Sequence, residues 1–412
     1  MMSPLLAIDA AVDSVLAAVD PLAAESVPLL DALGRALAGD IVSGEQVPSF
    51  DNSAMDGYAL RGEELVAGRT SFTVTVEIPA GRHVAELVGP GAAAKIMTGA
   101  PLPPGVDTVV PVELTSQSGD TLVVREAVDP GANVRRAGED VAVGDVVLPR
   151  GARLGPAEIG LLASVGVVTV PVVRRPRVAI LATGSELVPV GEPVGPGQIR
   201  NSNSYTAYGQ VLAAGAEPVL LGIARDDLDE TRRLVAAALE YDVVLTSGGV
   251  SVGEFDFVKQ VQDELGVERR FWGVATKPGK PLAFGVHGRT LVFGVPGNPV
   301  AAMVSFDLYI RPALLALQGR RDLFRPYVLA ASSEPVERAR ERTEARRCRL
   351  RRRNDGGWAF STTGPQGSGI LRSMALADGL AFIPAGHPGS KAGAPFMVLL
   401  LDGTSEERPP YP

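Results

Sequence analysis

Between residues 178 and 318, short apolar runs alternate with amphipathic segments, and this alternation constrains the fold more than any other feature of the chain. The apolar runs predict strands at 178–182, 218–224, 242–246 and 290–295. Apolar residues at helical spacing predict helices at 205–214, 227–241, 257–265 and from 299 onward. Strands that alternate with helices form a doubly wound, mainly parallel sheet with helices on both faces, so we expect an α/β domain here.

The regions before residue 178 and after residue 318 have a different pattern of apolar residues. An amphipathic helix is predicted at 8–19 and is ended by Pro21. Short β-branched runs at 72–78, 108–112 and 121–124, separated by Gly and Pro, predict a β-rich module. After Gln318 the alternation stops, and the segment 346–362 is typical of a hairpin in a final β domain. The chain is therefore predicted to be an α/β multidomain protein.

Composition excludes several classes of protein. The chain has one cysteine and three histidines in 412 residues, which excludes an intramolecular disulfide and argues against a zinc site. A formal net charge of −8 argues against nucleic acid as a partner. The first 34 residues contain no Lys or Arg, and no uncharged run reaches the roughly 18 to 20 apolar residues of a membrane span. We therefore expect a cytoplasmic protein without a membrane partner.

Three acidic residues follow the ends of predicted strands. They are Glu186, Asp226 and Asp256. Ligands of doubly wound sheets bind beyond the carboxyl ends of the strands, where these carboxylates could together hold Mg²⁺. Each also has an ordinary structural interpretation, since Asp226 could cap a helix, Glu186 could lie in a solvated turn, and Asp256 could favour a helix dipole.

Other residues at the same strand ends favour anions. The Ser247-Gly248-Gly249 turn would let backbone amides approach a phosphate. Asn298 followed by Pro299 is typical of a helix start, where free amides form an anion seat. Only five of the 39 basic residues are lysine, yet two of them, Lys277 and Lys280, lie within four residues of each other. Their compact ammonium groups could neutralise a further anion.

Two competing interpretations come from local patterns. The run GVSVG at 249–253 matches the nucleophile elbow of a serine hydrolase, but no histidine has an evident triad context and no His-Gly-Gly run exists. The segment 338–353 holds nine arginines, which would suit RNA. It lacks interleaved aromatic residues, so a solvated hairpin is favoured, although one of these arginines could serve the site.

Seven ordered motifs resemble those of the MoeA-type molybdopterin molybdenumtransferases, the family that includes the E domain of gephyrin. They are PSFDNSAMDGY at 48–58, IMTGA at 96–100, RAGED at 136–140, QIRNSN at 198–203, TSGGVSVGE at 246–254, KPGKP at 277–281 and PGNP at 296–299. The resemblance covers essentially the whole chain. Ser185 and Gly273 depart from it, because many relatives have an acidic and a basic residue there, respectively.

The resemblance implies four domains. An elongated helical and extended N-terminal domain would comprise 1–49 and 140–173, and a β-rich module at 50–139 would be inserted into it. A molybdopterin-binding α/β domain would span 174–320, and a C-terminal β-barrel 321–412. The family also implies a homodimer whose active cleft joins the inserted module of one subunit to the α/β and C-terminal domains of the other.

The implied reaction inserts molybdate into adenylylated molybdopterin with release of AMP and help from Mg²⁺. By resemblance, the catalytic set would be Asp56, Thr98, Asp140, Glu186, Asp226, Asp256, Lys277, Lys280, Arg347 and Ser368, with Glu186, Asp226 and Asp256 as metal ligands. The pterin and its phosphates would contact Asn203, Ser247, Gly248, Gly249, Ser251, Pro296, Gly297, Asn298 and Pro299. The molybdopterin adenylyltransferase and acceptor molybdoenzymes would be protein partners.

Two other functions stay open at this point. A dimeric scaffold without catalysis would resemble gephyrin, but this chain lacks appended domains and keeps the acids and lysines of the site. A nucleotide pyrophosphatase with a related domain would need no molybdate.

Overall fold

The computed structural model describes residues 5–248 and 257–412. The residues Gly249, Ser251 and Asp256, which sequence analysis assigned to the site, lie outside that range. The first part of the chain contains α1 (Ile8–Leu16), β1 (Ala24–Pro28), a 3-10 turn (Leu29–Ala32), β2 (Ile41–Val42), β3 (Asn52–Ser53), β4 (Gly57–Leu60), α2 (Gly62–Val66), β5 (Ser71–Ile78), β6 (Ala92–Ile96), β7 (Thr108–Pro111), a 3-10 turn (Val112–Leu114), β8 (Thr115–Ser118), β9 (Thr121–Val124), β10 (Val134–Arg135), β11 (Val146–Leu148), α3 (Pro156–Ser164) and β12 (Thr169–Val173).

The remaining elements form the α/β and C-terminal parts. The α/β part contains β13 (Arg177–Thr183), β14 (Leu187–Val188), β15 (Ile199–Arg200), α4 (Asn203–Ala213), β16 (Glu217–Ala224), α5 (Leu228–Ala238), β17 (Val243–Ser247), α6 (Phe257–Glu264), β18 (Glu268–Trp272), β19 (Thr276–Lys277), β20 (Ala283–His287), β21 (Thr290–Val295), α7 (Pro299–Ser305), a π-helical turn (Phe306–Ile310) and α8 (Arg311–Leu317). The C-terminal part contains β22 (Tyr327–Ser332), β23 (Thr343–Arg352), β24 (Trp358–Thr362), α9 (Leu371–Ala375), β25 (Gly379–Ile383) and β26 (Pro395–Leu400).

The α/β domain is built on a six-stranded sheet of order β16-β13-β17-β21-β20-β18. The first four strands are parallel, and β20 runs antiparallel to both of its neighbours, β21 and β18. All five residues of β17 are buried, as expected for a central strand covered on both faces. The prediction of a doubly wound, mainly parallel sheet is confirmed, and the carboxyl ends of β13, β16, β17 and β21 share one edge.

Pro299–Leu317 is the one helix of the described residues long and apolar enough to cross a membrane, and 89% of its most apolar window is buried within the protein. Its side chains pack with strands of the sheet, with α1 and with residues of the C-terminal part in one large apolar cluster. This helix is therefore a core helix.

The N-terminal segments form short two-stranded pairs and a separate sheet. Strand β1 pairs with β12, and β2 pairs with β11, so segments distant in sequence lie side by side. Between them in sequence, a six-stranded sheet of order β7-β4-β6-β5-β9-β8 packs against two apolar clusters, whose members all come from 58–134. The expected inserted β-rich module is thus present as a sheet with its own core.

The C-terminal part is a closed β-barrel. Its strands pair in the order β23-β24-β22-β26-β25, and β25 pairs again with β23, which closes the circle. Strand β19 of the α/β part adds to the barrel by pairing in parallel with β23, so that Lys277 lies opposite Glu344. This pairing places the Lys277-Pro-Gly-Lys280 segment at the junction of the two domains.

Candidate active site

An acidic pocket lies at the carboxyl ends of β13, β16 and β17. Its volume is about 210 Å³, and it is lined by Thr183, Gly184, Glu186, Arg225, Asp226, Thr231, Gly248, Phe257 and Val258. Two of the three predicted metal ligands, Glu186 and Asp226, therefore share one pocket. In the described ranges no group of three or more His, Cys, Asp or Glu side chains is placed to hold a metal ion.

Asp226 is not the helix cap that its position allowed. The cap of α5 is Asp227, whose carboxylate accepts the Glu230 backbone N–H at 2.7 Å. The Asp226 backbone N–H donates to Ser185 Oγ at 3.1 Å, and its carboxylate accepts the Ser185 N–H at 3.3 Å. Ser185, where many relatives are expected to have an acid, thus holds Asp226 at the pocket rather than adding a charge.

Two glycines shape the floor of this pocket. Gly248 has φ +91°, and a Cβ there would lie 2.6 Å from the carbonyl oxygen of Thr183, so neither its conformation nor its space accepts a side chain. Gly184 has φ +139°, and a Cβ there would lie 2.4 Å from Oε2 of Glu186. The Glu186 carboxylate therefore lies directly over Gly184.

Asn203 connects the strand ends. Its side-chain N–H groups donate to Ser247 Oγ and to the carbonyl oxygen of Gly297, both at 2.9 Å. Because Asn203 is almost fully buried at the start of α4, these bonds hold the ends of β17 and β21 together. Sequence analysis assigned Asn203, Ser247 and Gly297 to ligand binding, and the structure places them in one hydrogen-bonded group.

A larger, basic cavity lies between the α/β domain and the barrel. Its volume is about 340 Å³, and it is lined by Lys277, Pro278, Gly279, Lys280, Pro281, Pro296, Asn298, Ala301, Arg342, Glu344, Ala345, Arg346, Arg347, Gln366, Gly367 and Ser368. Five of these side chains are cationic and one is acidic. The predicted residues Lys277, Lys280, Arg347 and Ser368 meet here, together with Pro296 and Asn298.

Arg347 is the most unusual cation of this cavity. It is only 1% exposed, and its guanidinium donates to Ser373 Oγ at 3.0 Å and to the Gly367 carbonyl at 2.9 Å. No carboxylate of the described residues pairs with it, and burial lowers its pKa below the usual value. A buried guanidinium without a counter-ion is costly, and an anion in the cavity would offset that cost.

The start of α7 forms another wall of this cavity, but less openly than expected. Asn298 is the cap and Pro299 the first helical residue, as predicted. The Val300 backbone N–H, however, donates to the Ser368 carbonyl at 3.0 Å. One amide of the expected anion seat is thus bonded to the barrel and not free for a ligand. The same hydrogen bond places Ser368 at the cavity.

Asp56 and Thr98 lie together in the inserted module. The Asp56 carboxylate accepts the backbone N–H of Thr98 at 2.7 Å and its hydroxyl at 2.8 Å. These two bonds, the backbone one foremost, hold the pKa of Asp56 below its usual value. Asp140 is exposed, and its backbone N–H donates to Val47 at 3.0 Å. None of the three lines the acidic pocket or the basic cavity of the same chain.

Sequence reasoning missed several residues of the basic cavity. Arg342, Glu344, Arg346 and Gln366 line it, and Gln366 accepts the Arg347 backbone N–H at 2.9 Å. The arginine-rich run at 338–353 carried a signal for two of them, but only the pairing of β19 with β23 shows which arginines face the cavity.

The fold and site define a class: a multidomain α/β protein with an acidic pocket at its strand ends and an anion-attracting cavity against a closed barrel. Residues 6–166 match the family model described as MoeA N-terminal region (domain I and II), residues 179–316 that of a probable molybdopterin binding domain, and residues 330–401 that of the MoeA C-terminal region (domain IV). The chain belongs to the MoeA family, as its motifs predicted.

Known proteins and solved structures are similar to this chain over most of its length. A Mycobacterium tuberculosis protein named molybdopterin molybdenumtransferase 2 is 40% identical over 386 residues, which cover 90% of this chain and 94% of that protein. The molybdopterin molybdenumtransferase of Bacillus subtilis is 36% identical, with 92% and 90% covered. A crystal structure of a molybdopterin biosynthesis MoeA protein from Pyrococcus horikoshii matches 96% of this chain and 100% of its own, with 32% identity and a TM-score of 0.83.

Proposed function

We propose that this protein is a molybdopterin molybdenumtransferase that inserts molybdate into adenylylated molybdopterin and releases AMP. The observation that carries the proposal is the buried Arg347, which faces a cavity with four further cations and has no carboxylate partner in the described residues. Molybdate is a small tetrahedral dianion, and such cations would hold it by charge and by directed hydrogen bonds. The relatives are named molybdopterin molybdenumtransferases, which supports the molybdenum transfer.

The acidic pocket would receive the pyrophosphate of the adenylylated pterin. Gly248 lines this pocket at the end of β17, and Arg225 would add a cation beside the phosphates. Asn203 ties the strand end beside this pocket to the Gly297 turn beside the cavity, so the phosphates and the oxyanion would be presented at a fixed separation. Fixed separation favours transfer between two bound groups.

The carboxylates of the acidic pocket fit Mg²⁺. That ion prefers oxygen ligands and is commonly held by one or two carboxylates with water and substrate phosphates. Glu186 and Asp226 offer that donor set, and Asp256 would add to it from outside the described residues. When bound, Mg²⁺ would neutralise charge on the pyrophosphate. Ser185 would keep Asp226 turned toward the pocket through its two hydrogen bonds.

The test is AMP release from adenylylated molybdopterin and Mg²⁺, with and without molybdate, together with the molybdenum content of the pterin product. The proposal expects release that depends on molybdate and equals the molybdenum incorporated. Release that is indifferent to molybdate would identify a pyrophosphatase. Binding of the pterin without release would identify a scaffold or carrier.

We further propose that the active form is a homodimer. Leu30, Val42, Val143, Val146 and Val168 of the elongated N-terminal part are each more than half exposed, which suits a covered interface. In such a dimer, Asp56, Thr98 and Asp140 of one subunit would face the cavity of the other. Light scattering on the purified protein should give twice the 42.9 kDa chain mass, and a monomer would contradict this assembly.

The proposed reaction also implies its neighbours. Adenylylated molybdopterin has to come from an adenylyltransferase, and the finished cofactor has to pass to acceptor molybdoenzymes, both in the cytoplasm. These partners follow from the proposed reaction and not from any surface of this chain. Transfer of labelled pterin from a purified adenylyltransferase in the presence of excess free pterin would test direct handover.

A further inference from the structure

Glu344 stands out among the described residues that line the basic cavity, because it alone is acidic. Its Oε1 accepts from Lys277 Nζ at 2.8 Å, and its Oε2 accepts from Arg346 Nη2 at 2.8 Å and Nε at 3.0 Å. Burial alone would raise its pKa, but the hydrogen bonds from Lys277 and Arg346 outweigh burial and hold the pKa below its usual value. Glu344 is therefore a charged group at neutral pH.

The pairing of two strands positions this contact, in which the Lys277 side chain is 57% exposed and the Glu344 side chain is largely buried. Lys277 and Glu344 are register partners on the parallel strands β19 and β23. Arg346 is two residues beyond Glu344 on β23, so both side chains project from the same face of the strand. The Glu344 side chain is only 13% exposed, which limits screening of its charge by water and salt.

As a result, the five cations of the cavity are not equivalent. Lys277 and Arg346 already have a carboxylate partner. Lys280, Arg342 and Arg347 have none in the part of the chain that the structure describes. An entering oxyanion must share the Lys277 ammonium with Glu344, and it must also lie close to the negative charge of that carboxylate.

We infer that Glu344 competes with the oxyanion for Lys277. In the ligand-free cavity Glu344 binds the Lys277 ammonium, and it thereby weakens oxyanion binding. The inference rests on the proposed function only in taking the ligand to be a tetrahedral dianion. Tight binding of a substrate that must leave for another acceptor does not speed its transfer, so a competing carboxylate suits a site that hands its anion on.

The decisive measurement is the Kd of molybdate, determined by calorimetry on the full chain without pterin. Glu344→Gln keeps the size of the side chain but removes its charge and replaces one acceptor oxygen with an NH2 group, so the variant should bind molybdate about tenfold more tightly than the wild type. Glu344→Asp keeps the charge and should stay within about threefold of the wild type. A purely structural role could weaken binding but would not tighten it.

Glu341→Gln is the matched control, since Glu341 is exposed, lies three residues before Glu344 and does not line the cavity. It should leave the Kd unchanged. An unchanged or weaker Kd in Glu344→Gln would overturn the inference, as would equal tightening in Glu341→Gln or the absence of molybdate binding in both Glu344→Gln and the wild type.

A second pair of variants covers the case in which Glu344→Gln does not fold. Lys277→Met removes a cation that Glu344 already holds, whereas Lys280→Met removes one without a carboxylate partner. Lys280→Met should therefore raise the Kd more, and an equal or larger effect of Lys277→Met would contradict the inference. Failure of the proposed transfer would show separately, as absent AMP release by a wild type that still binds molybdate.

Discussion

The acidic pocket and the basic cavity differ in how the fold assembles them. The acidic pocket comes from the ends of adjacent strands of one sheet and the helices that flank them. The basic cavity needs two domains, because Lys277 and Lys280 come from the α/β part and Arg347 and Ser368 from the barrel. The acidic pocket should therefore persist wherever the sheet forms, while the basic cavity should also depend on the docking of the barrel.

The largest effect should come from Arg347, which belongs to the cavity built by two domains. Arg347→Lys keeps a charge but loses the planar group that contacts Ser373 and Gly367, so molybdenum incorporation should fall on the order of 100-fold. Arg349→Lys, an exposed change on the same strand, is the control and should retain activity. Equal activity of Arg347→Lys and the wild type would remove this guanidinium from the site.

Substitutions in the acidic pocket should change the Mg²⁺ dependence of AMP release, whereas substitutions in the basic cavity should not. Asp226→Asn and Glu186→Gln should each lower AMP release by roughly tenfold or more and raise the Mg²⁺ concentration needed for half-maximal rate, because each removes a charged oxygen ligand. Their molybdate Kd should stay unchanged. Glu217→Gln, on the exposed side of β16, serves as the control. A Mg²⁺ requirement that is unaltered in both variants would contradict the metal assignment.

Asn203 tests whether the two regions are coupled. Asn203→Ala removes both bonds to Ser247 and Gly297 and leaves the buried Ser247 hydroxyl without this donor, which should lower the free energy of unfolding by about 1–3 kcal/mol. It should also slow turnover at saturating substrate more than it weakens molybdate binding, because the separation of the bound groups is no longer held. If Asn203→Ala lowered stability without slowing turnover, the acidic pocket and the basic cavity would not be coupled through Asn203.

The smallest effect should appear in the inserted module, away from both pockets. Thr98→Val removes the weaker of two donors to Asp56, so the pKa of Asp56 should rise toward its usual value but remain below it, because the backbone N–H is retained. A carboxyl with a lowered folded-state pKa adds stability above its unfolded pKa of about 3.9 and loses it as the pH falls through the folded value. NMR titration of Asp56 in both forms would detect the shift, and an unchanged pKa would contradict it.

The sequence predicted the fold well because its signals were periodic and local. Strand ends at Thr183, Ala224, Ser247 and Val295 agree with the predicted runs within two residues. The choice between a cap and a site residue at Asp226 was not predictable, since Asp227 next to it is an equally good cap and only the backbone path at the start of α5 distinguishes them.

By itself, the sequence determined which residue types end the strands, where the glycines must be and which family the motifs resemble, because these depend on spacing along the chain. The tertiary structure decided which of nine arginines is buried, that Glu344 holds Lys277, and that Ser368 reaches the cavity through the Val300 amide. These contacts join residues roughly 70 positions apart, and their register is set by the pairing of β19 with β23 and the docking of two cores. No local pattern in the chain encodes that register.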